Sequence, residues 1–356
     1  MKIFNFLIFI VFTYTTSLFA TPQFAREQQV NCSVCHTNIP MLTKTGKSFL
    51  RNGFRFSKTD KTSLKKFLYP NEDTPRHFPF ALMLKEVYST NNHDNLEKIK
   101  LFSGGSLTQN LSFFALTKKT FNHIKGKETP NLFQEKTSKI YFQLNEQENK
   151  HVLRIGLMSP FTQFGNTKKA FSDSEIKGGS YYKTPQKQAS FLNYKGAEYS
   201  YLLNNKWLFL FSYGKTLSDK KQFITGMKYS TDTNLNISVI YNKLKNNEKY
   251  NYSLLFPIEK TYNNFILNTV FVYKNNININ NYYGIENSLV YNINDSSNIR
   301  TIINIDKDKN DEKNYSYSLS YTKILQSRWM FRLTTIKIDT ERKNNDYINS
   351  SFSLYF

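Results

Sequence analysis

The chain has 356 residues, of which 39% are hydrophobic and 16% aromatic, with 24 Tyr and 31 Phe, and its formal net charge is +21. Beyond the N-terminal segment no run of 18 or more apolar residues occurs, which excludes a helical membrane span on length. The lysines are scattered through turns and polar strand faces rather than gathered on one helix or patch, which argues against a nucleic-acid partner. An aromatic-rich chain of mean hydropathy −0.54 suits a transmembrane β-barrel, where half of each strand faces a watery lumen and aromatics collect at the interfaces.

At the N-terminus, Lys2 followed by the apolar run Ile3 to Phe12 and a small residue at Ala20 reads as a secretory signal over residues 1–20, cleaved before Thr21. Leu18 is an imperfect residue for the position three ahead of the cut, so the scissile bond itself is left open.

Just past it stands Cys32-Ser33-Val34-Cys35-His36, in a chain with no other cysteine. Two thiols three apart on one turn can add to the two vinyl groups of a haem, and the histidine that follows is placed to ligate the iron. Cys32, Cys35 and His36 are therefore the expected holders of one covalent haem c. A redox pair of the thioredoxin kind would want a following βαβ unit, which the sequence lacks, and a three-residue spacing is a poor structural staple.

Residues 21–78 read as a small helical head of c-type cytochrome character. Leu42, Gly46, Phe49 and Leu50 fall at helical intervals and Gly53 is a natural stop, while 58–79 reads as a connector. For the second axial position Met41 is too close to His36 to circle the haem, which leaves His77 at the junction or Met83 in the first strand. His93, His123, His151 and Met158 are more distant candidates. Methionine ligation would raise the reduction potential, suiting ferrous iron as donor.

From residue 79 to 356 the pattern changes to period two. Leu235, Ile237, Val239 and Tyr241 alternate with Asn234, Asn236, Ser238 and Asn242, and Tyr315, Tyr317, Leu319 and Tyr321 alternate with Asn314, Ser316, Ser318 and Ser320. Such segments number 16, which predicts an all-β, antiparallel barrel with apolar side chains toward lipid. Connectors after odd strands include the long ones at 120–137, 159–195, 307–313 and 339–346; those after even strands are short, as at Gln109 and Asn204 to Lys206. Long outside and short inside is the outer-membrane pattern and puts both termini in the periplasm. The final Phe352, Leu354 and Phe356 share one face, as in the terminal strand by which outer-membrane barrels are recognised for insertion.

Around the haem motif the sequence runs Thr21-Pro22-Gln23-Phe24-Ala25-Arg26, then Cys32 to His36, Pro40, Leu42, Gly46, Phe49 and Asn52-Gly53-Phe54. This resembles the head of the fused monohaem cytochrome-porins of the bacterial outer membrane, the group best known from iron-oxidising bacteria. The resemblance implies a single c-type haem at the mouth of, or plugging, a porin-like barrel. It also implies electron transfer between an external donor or acceptor and a periplasmic c-type cytochrome, with outer-membrane lipid around the barrel and the head facing the periplasm. It leaves the donor, the direction of flow and any Fe(II) oxidase activity open. A solute porin with a haem-bearing plug or sensor is the second reading, and a haem enzyme reducing a small nitrogen or peroxide species the third.

Overall fold

The computed structural model describes residues 23–38, 41–57, 60–69, 79–89, 95–123, 137–146, 150–159, 193–246, 249–276, 279–307, 313–325, 329–340 and 343–355. Among the described residues four short helices come first: α1 (Gln23–Gln28), α2 (Cys32–Cys35), α3 (Lys44–Arg51) and α4 (Ser63–Leu68). Between α2 and α3 a two-stranded ribbon pairs β1 (His36–Asn38) with β2 (Met41–Leu42). Sixteen strands follow: β3 (Phe80–Ser89), β4 (Asn95–Ser106), β5 (Leu111–His123), β6 (Thr137–Glu146), β7 (His151–Met158), β8 (Tyr194–Leu203), β9 (Trp207–Thr216), β10 (Lys221–Ser230), β11 (Leu235–Asn246), β12 (Lys249–Tyr262), β13 (Phe265–Asn276), β14 (Ile279–Asn294), β15 (Ser297–Lys307), β16 (Lys313–Leu325), β17 (Trp329–Thr340) and β18 (Lys343–Tyr355).

Each strand pairs antiparallel with its sequence neighbour, and β18 closes on β3 through Asn349↔Ser89 to Tyr355↔Met83, so the barrel has no free edge. Closure is what lets every wall N–H and C=O find a partner in a lipid setting. The ladder between β11 and β12 is interrupted beside Pro257, which has no N–H to give.

Alternation sorts the faces as the sequence suggests. In β16, Asn314, Ser316, Ser318 and Ser320 are buried inward, while Tyr317, Leu319 and Tyr321 are exposed outward. The inward face is not purely polar, however. Leu210, Ile224, Ile240, Leu255 and Val270 belong to a buried apolar cluster on the inner side of the wall, together with Tyr141 and Tyr194.

Outward aromatics gather at two levels. Near the short turns lie Trp207 and Tyr229 (ring centroids 4.4 Å apart), Phe265 and Tyr291 (4.8 Å) and Trp329 and Phe352 (4.8 Å). At the opposite end lie Tyr241 and Tyr252 (6.0 Å) and Tyr273 and Tyr283 (5.2 Å). Between them the outer face presents residues such as Phe211, Leu289 and Leu319. Two aromatic girdles flanking an apolar band are the arrangement of a membrane-spanning barrel.

The short turns use asparagine to reach positive φ: Asn204 (50°), Asn205 (54°), Asn234 (59°) and Asn263 (46°). Asn adopts this region at little cost because its amide can bond locally. Two expectations need correction. The supposed long connector 339–346 is almost wholly strand, since β17 and β18 pair out to Thr340↔Lys343; its polar residues Asn344, Asn345 and Asp346 mimic a loop in composition. The connector 58–79 holds α4, a helix of six residues, too short to show a periodicity and started by the Thr62 side chain accepting from the Lys65 N–H.

Candidate functional site

The cysteine motif is held by its backbone. α2 places Cys32 and Cys35 three residues apart on one helical turn, and His36 leaves that turn at the start of β1. Thr43 then fastens the turn to α3. Its N–H donates to the Cys35 carbonyl (3.0 Å), its hydroxyl donates to the Val34 carbonyl (2.7 Å), and the same oxygen accepts from the Gly46 N–H (2.9 Å) as the N-cap of α3. Gly46 permits this contact. A Cβ there would lie 2.9 Å from the Cys35 carbonyl carbon and 3.0 Å from its Cα, with the carbonyl oxygen nearer still.

At its other end α3 stops in a Schellman turn. Gly53, at φ 68°, donates to the Leu50 carbonyl (3.4 Å) and Phe54 donates to the Phe49 carbonyl (2.9 Å). That reversal swings Phe54 onto Phe24, their rings stacked at 4.7 Å, and Phe49 meets Phe24 edge-on at 5.5 Å. Cys35 and His36 are themselves half-buried. The donor set, two sulfurs on one turn with an imidazole at its exit, fits a covalently attached haem. Met83 is buried on the inward face of β3; His77 and His93 lie outside the described residues. His151 points outward among the aromatics, its ring 4.8 Å from Tyr201 and its Nδ1 2.6 Å from the Tyr199 hydroxyl. The barrel wall therefore separates it from the head. Among the described residues no cluster of three or more His, Cys, Asp or Glu side chains could hold a bare metal ion.

The head sits against the inner side of the short-turn end. Gln23 donates to the Gly104 carbonyl, and Ser63 Oγ bonds Ser106 Oγ (3.3 Å) and donates to Glu27 (2.7 Å). Arg55 donates to the side chain and backbone oxygens of Gln109 in the turn after β4. Arg51 donates to Ser200 Oγ (3.0 Å) and the Lys150 carbonyl (2.6 Å), while carbonyls at the end of α3 accept from Gln143 (3.2 Å to Leu50, 3.1 Å to Arg51) and from Asn145. Across the mouth, Lys47 Nζ pairs with Glu259 at 2.8 Å, and Asn236 donates to the same oxygen (2.9 Å). Phe54 continues inward to Phe114 (6.1 Å), and Phe114 to Tyr141 (5.6 Å).

Burial, and after it the like charge of Arg154, pushes the Arg51 guanidinium down to about 10, so it remains cationic at neutral pH. Deeper in the lumen Arg154 is bound to Gln143 Oε1 (2.8 Å) and faces Glu198 (3.5 Å), with the Tyr194 hydroxyl donating to Glu198 (3.4 Å). Lys47, Arg51 and Arg55 were not singled out by sequence reasoning. Their spacing of four was the available signal: a continuous helix would align all three cations, and in the structure Lys47 and Arg51 lie on α3 while Arg55 follows its terminating turn.

These features can be set beside known proteins. No protein-family model matches the sequence, and no curated protein matches it. Among solved structures the fold is shared with Salmonella typhi OmpF in complex with daunomycin (TM-score 0.59, 11% identity, 78% of this chain and 96% of that one). It is shared too with the anion-selective porin of Comamonas acidovorans (0.55, 10%, 78% and 98%) and with OmpTdeltaL8, the loop L8 deletion mutant of Vibrio cholerae OmpT (0.53, 8%, 78% and 98%). The barrel has the porin fold. At these identities the likeness is one of architecture, and the share of this chain that is matched approximates the barrel alone.

Proposed function

We propose that this chain is an outer-membrane electron-transfer protein whose head carries one covalent haem c and plugs the short-turn mouth of a porin-type barrel. Electrons pass between an external donor or acceptor and a periplasmic c-type cytochrome. The observation that carries the proposal is the seat of the head. Lys47, Arg51 and Arg55 reach residues of four different strands and turns on the inner side of one rim, which holds the cysteine motif at the mouth rather than on a free tether.

Cys32 and Cys35 would hold the haem and His36 would ligate its iron, with His77 or Met83 as a second iron ligand. The haem, when bound, supplies a one-electron couple. The chain's own residues do the positioning. Thr43 and Gly46 fix the motif against α3, the Phe24, Phe49 and Phe54 rings pack the far end of that helix, and the three cations lock the head in the mouth. A hydrocarbon layer of about 30 Å is too deep for productive tunnelling from surface to surface, so a redox centre lodged inside the wall shortens the step.

The test is the visible spectrum of the detergent-extracted protein before and after ferrous iron. A Soret band that moves to its reduced form on iron addition supports a ferrous donor. A band that responds only to dithionite keeps the conduit and removes iron as donor. Absence of a Soret band refutes the haem assignment.

The porin fold itself favours a second reading, a solute porin whose head is a plug or sensor. Planar-bilayer conductance separates the two: the conduit gives low conductance, the porin gives open channels indifferent to haem state.

A further inference from the structure

The register of four neighbouring strands brings four lysines into one line on the outer surface. Lys195, Lys215, Lys221 and Lys245 lie on β8, β9, β10 and β11, and the register sets Lys195 opposite Lys215, Lys215 opposite Lys221, and Lys221 opposite Lys245. All four are outward-facing, the first three exposed and Lys245 half-buried. At the spacing of neighbouring strands they form a row about 14 Å long. Among the described residues a single carboxylate pairs with them, Asp219, 3.1 Å from Lys215 and itself highly exposed.

Like charges directly opposite on one face destabilise a sheet unless an anion screens them. The row lies at the end of the barrel away from the short turns, one step beyond an aromatic level that includes Tyr213, Phe223 and Tyr252. That is the height at which lipid headgroups meet the barrel. Their neighbours are shaped for the same contact. Lys243 Nζ lies 4.1 Å from the centre of the Tyr250 ring, and Lys245 Nζ lies 5.4 Å from it, so an aromatic ring adjoins the last lysine of the row. The aliphatic stems can lie along the apolar wall while the ammonium groups reach outward.

We infer that the Lys195–Lys215–Lys221–Lys245 row is a binding site for a phosphorylated lipid headgroup of the leaflet at that end of the barrel. A diphosphorylated glycolipid matches it best, because a row of this length and charge can take two phosphates at once. Placing the row in the outer leaflet rests on the membrane orientation proposed above; the binding itself does not.

The experiment uses the full chain in nanodiscs of phosphatidylcholine containing either bisphosphorylated lipid A or the same lipid stripped of its phosphates, with retained lipid counted by native mass spectrometry. Preferential retention of the phosphorylated form is expected, falling about thirtyfold in Lys215→Gln/Lys221→Gln and further in the four-lysine variant. Lys206→Gln, at the opposite end, should leave it unchanged. Equal retention of the two lipids, or undiminished retention in the double variant, overturns the site. Displacement by millimolar inorganic phosphate as efficient as by the lipid would overturn the lipid assignment in favour of a small-anion site. Labelling of Lys221 on intact cells with a membrane-impermeant amine reagent tests sidedness separately. If it fails, the orientation is wrong while the nanodisc result stands.

Discussion

Substituting Gly46 by alanine perturbs the one contact that seats the cysteine motif on α3. The new Cβ would stand 2.9 Å from the Cys35 carbonyl carbon and 3.0 Å from its Cα, all backbone atoms that no rotamer change can move. Ordinary carbon contacts need about 3.5–4.0 Å, so the two segments must part by about 1 Å. That displacement would stretch the Thr43 N–H bond to Cys35 (3.0 Å) and the Thr43 hydroxyl bond to Val34 (2.7 Å) past the useful limit. Two neutral hydrogen bonds are worth about 0.5–1.5 kcal/mol each and local overpacking costs about 1–3 kcal/mol. Alanine returns about 1 kcal/mol in helix propensity. The net loss is about 1–5 kcal/mol, a factor of about five to several thousand in the seated population of the motif. Hydrogen-exchange mass spectrometry of the reconstituted protein should show faster exchange across residues 32–51 and unchanged exchange across β9 to β16, with a lower Soret-to-280 nm ratio. Wild-type exchange in that segment would refute the argument that the turn needs a residue without a Cβ.

Three further outcomes are expected. Lys47→Glu, placed 2.8 Å from Glu259, sets two carboxylates together and should raise protease cleavage of the head about tenfold, with Lys47→Glu/Glu259→Lys restoring protection; no change in cleavage would remove the pair from the seat. Burial raises the Glu27 carboxyl above its usual range, against the lowering effects of Ser63 and Lys66. A group whose pKa is raised on folding adds stability that is fully present below its unfolded value and is lost as pH rises through the folded value. Head protection should therefore weaken from pH 4 towards 7 in the native protein, and Glu27→Gln should flatten that dependence; equal slopes would contradict it. Leu319→Lys, on the lipid face between the girdles, should cost about 2–4 kcal/mol in urea titrations of the reconstituted barrel, whereas Ser318→Lys on the inner face should not show that depth-dependent cost. Equal effects at the two positions would mean the faces are assigned the wrong way round.

Much of the barrel was legible in the chain because strand alternation is local. The side-chain period of two in segments such as 314–321 is set by the pleat, and the turn asparagines at 204, 205 and 263 announce the reversals by their tolerance of positive φ. The cysteine spacing is local too, since one helical turn suffices to present Cys32 and Cys35 together. The misread stretch at 339–346 shows the limit of this signal. Its charged residues and asparagines suit a loop by composition, yet Lys343 to Asp346 pair with β17 as strand.

What tertiary structure alone decided is which distant residues share the mouth. Ser106, Gln143, Ser200 and Glu259 are ordinary inward polar residues in their own strands, Lys47 and Arg51 are ordinary helix cations, and Arg55 is an ordinary cation just past the helix end. They become one seat because closing β18 on β3 curves seemingly unrelated turns round the head and takes those charges out of bulk water. The row from Lys195 to Lys245 arises in the same way. Register, fixed by turn length and by neighbouring strands rather than by any one segment, aligns four residues spread over 51 positions of sequence into one charged edge.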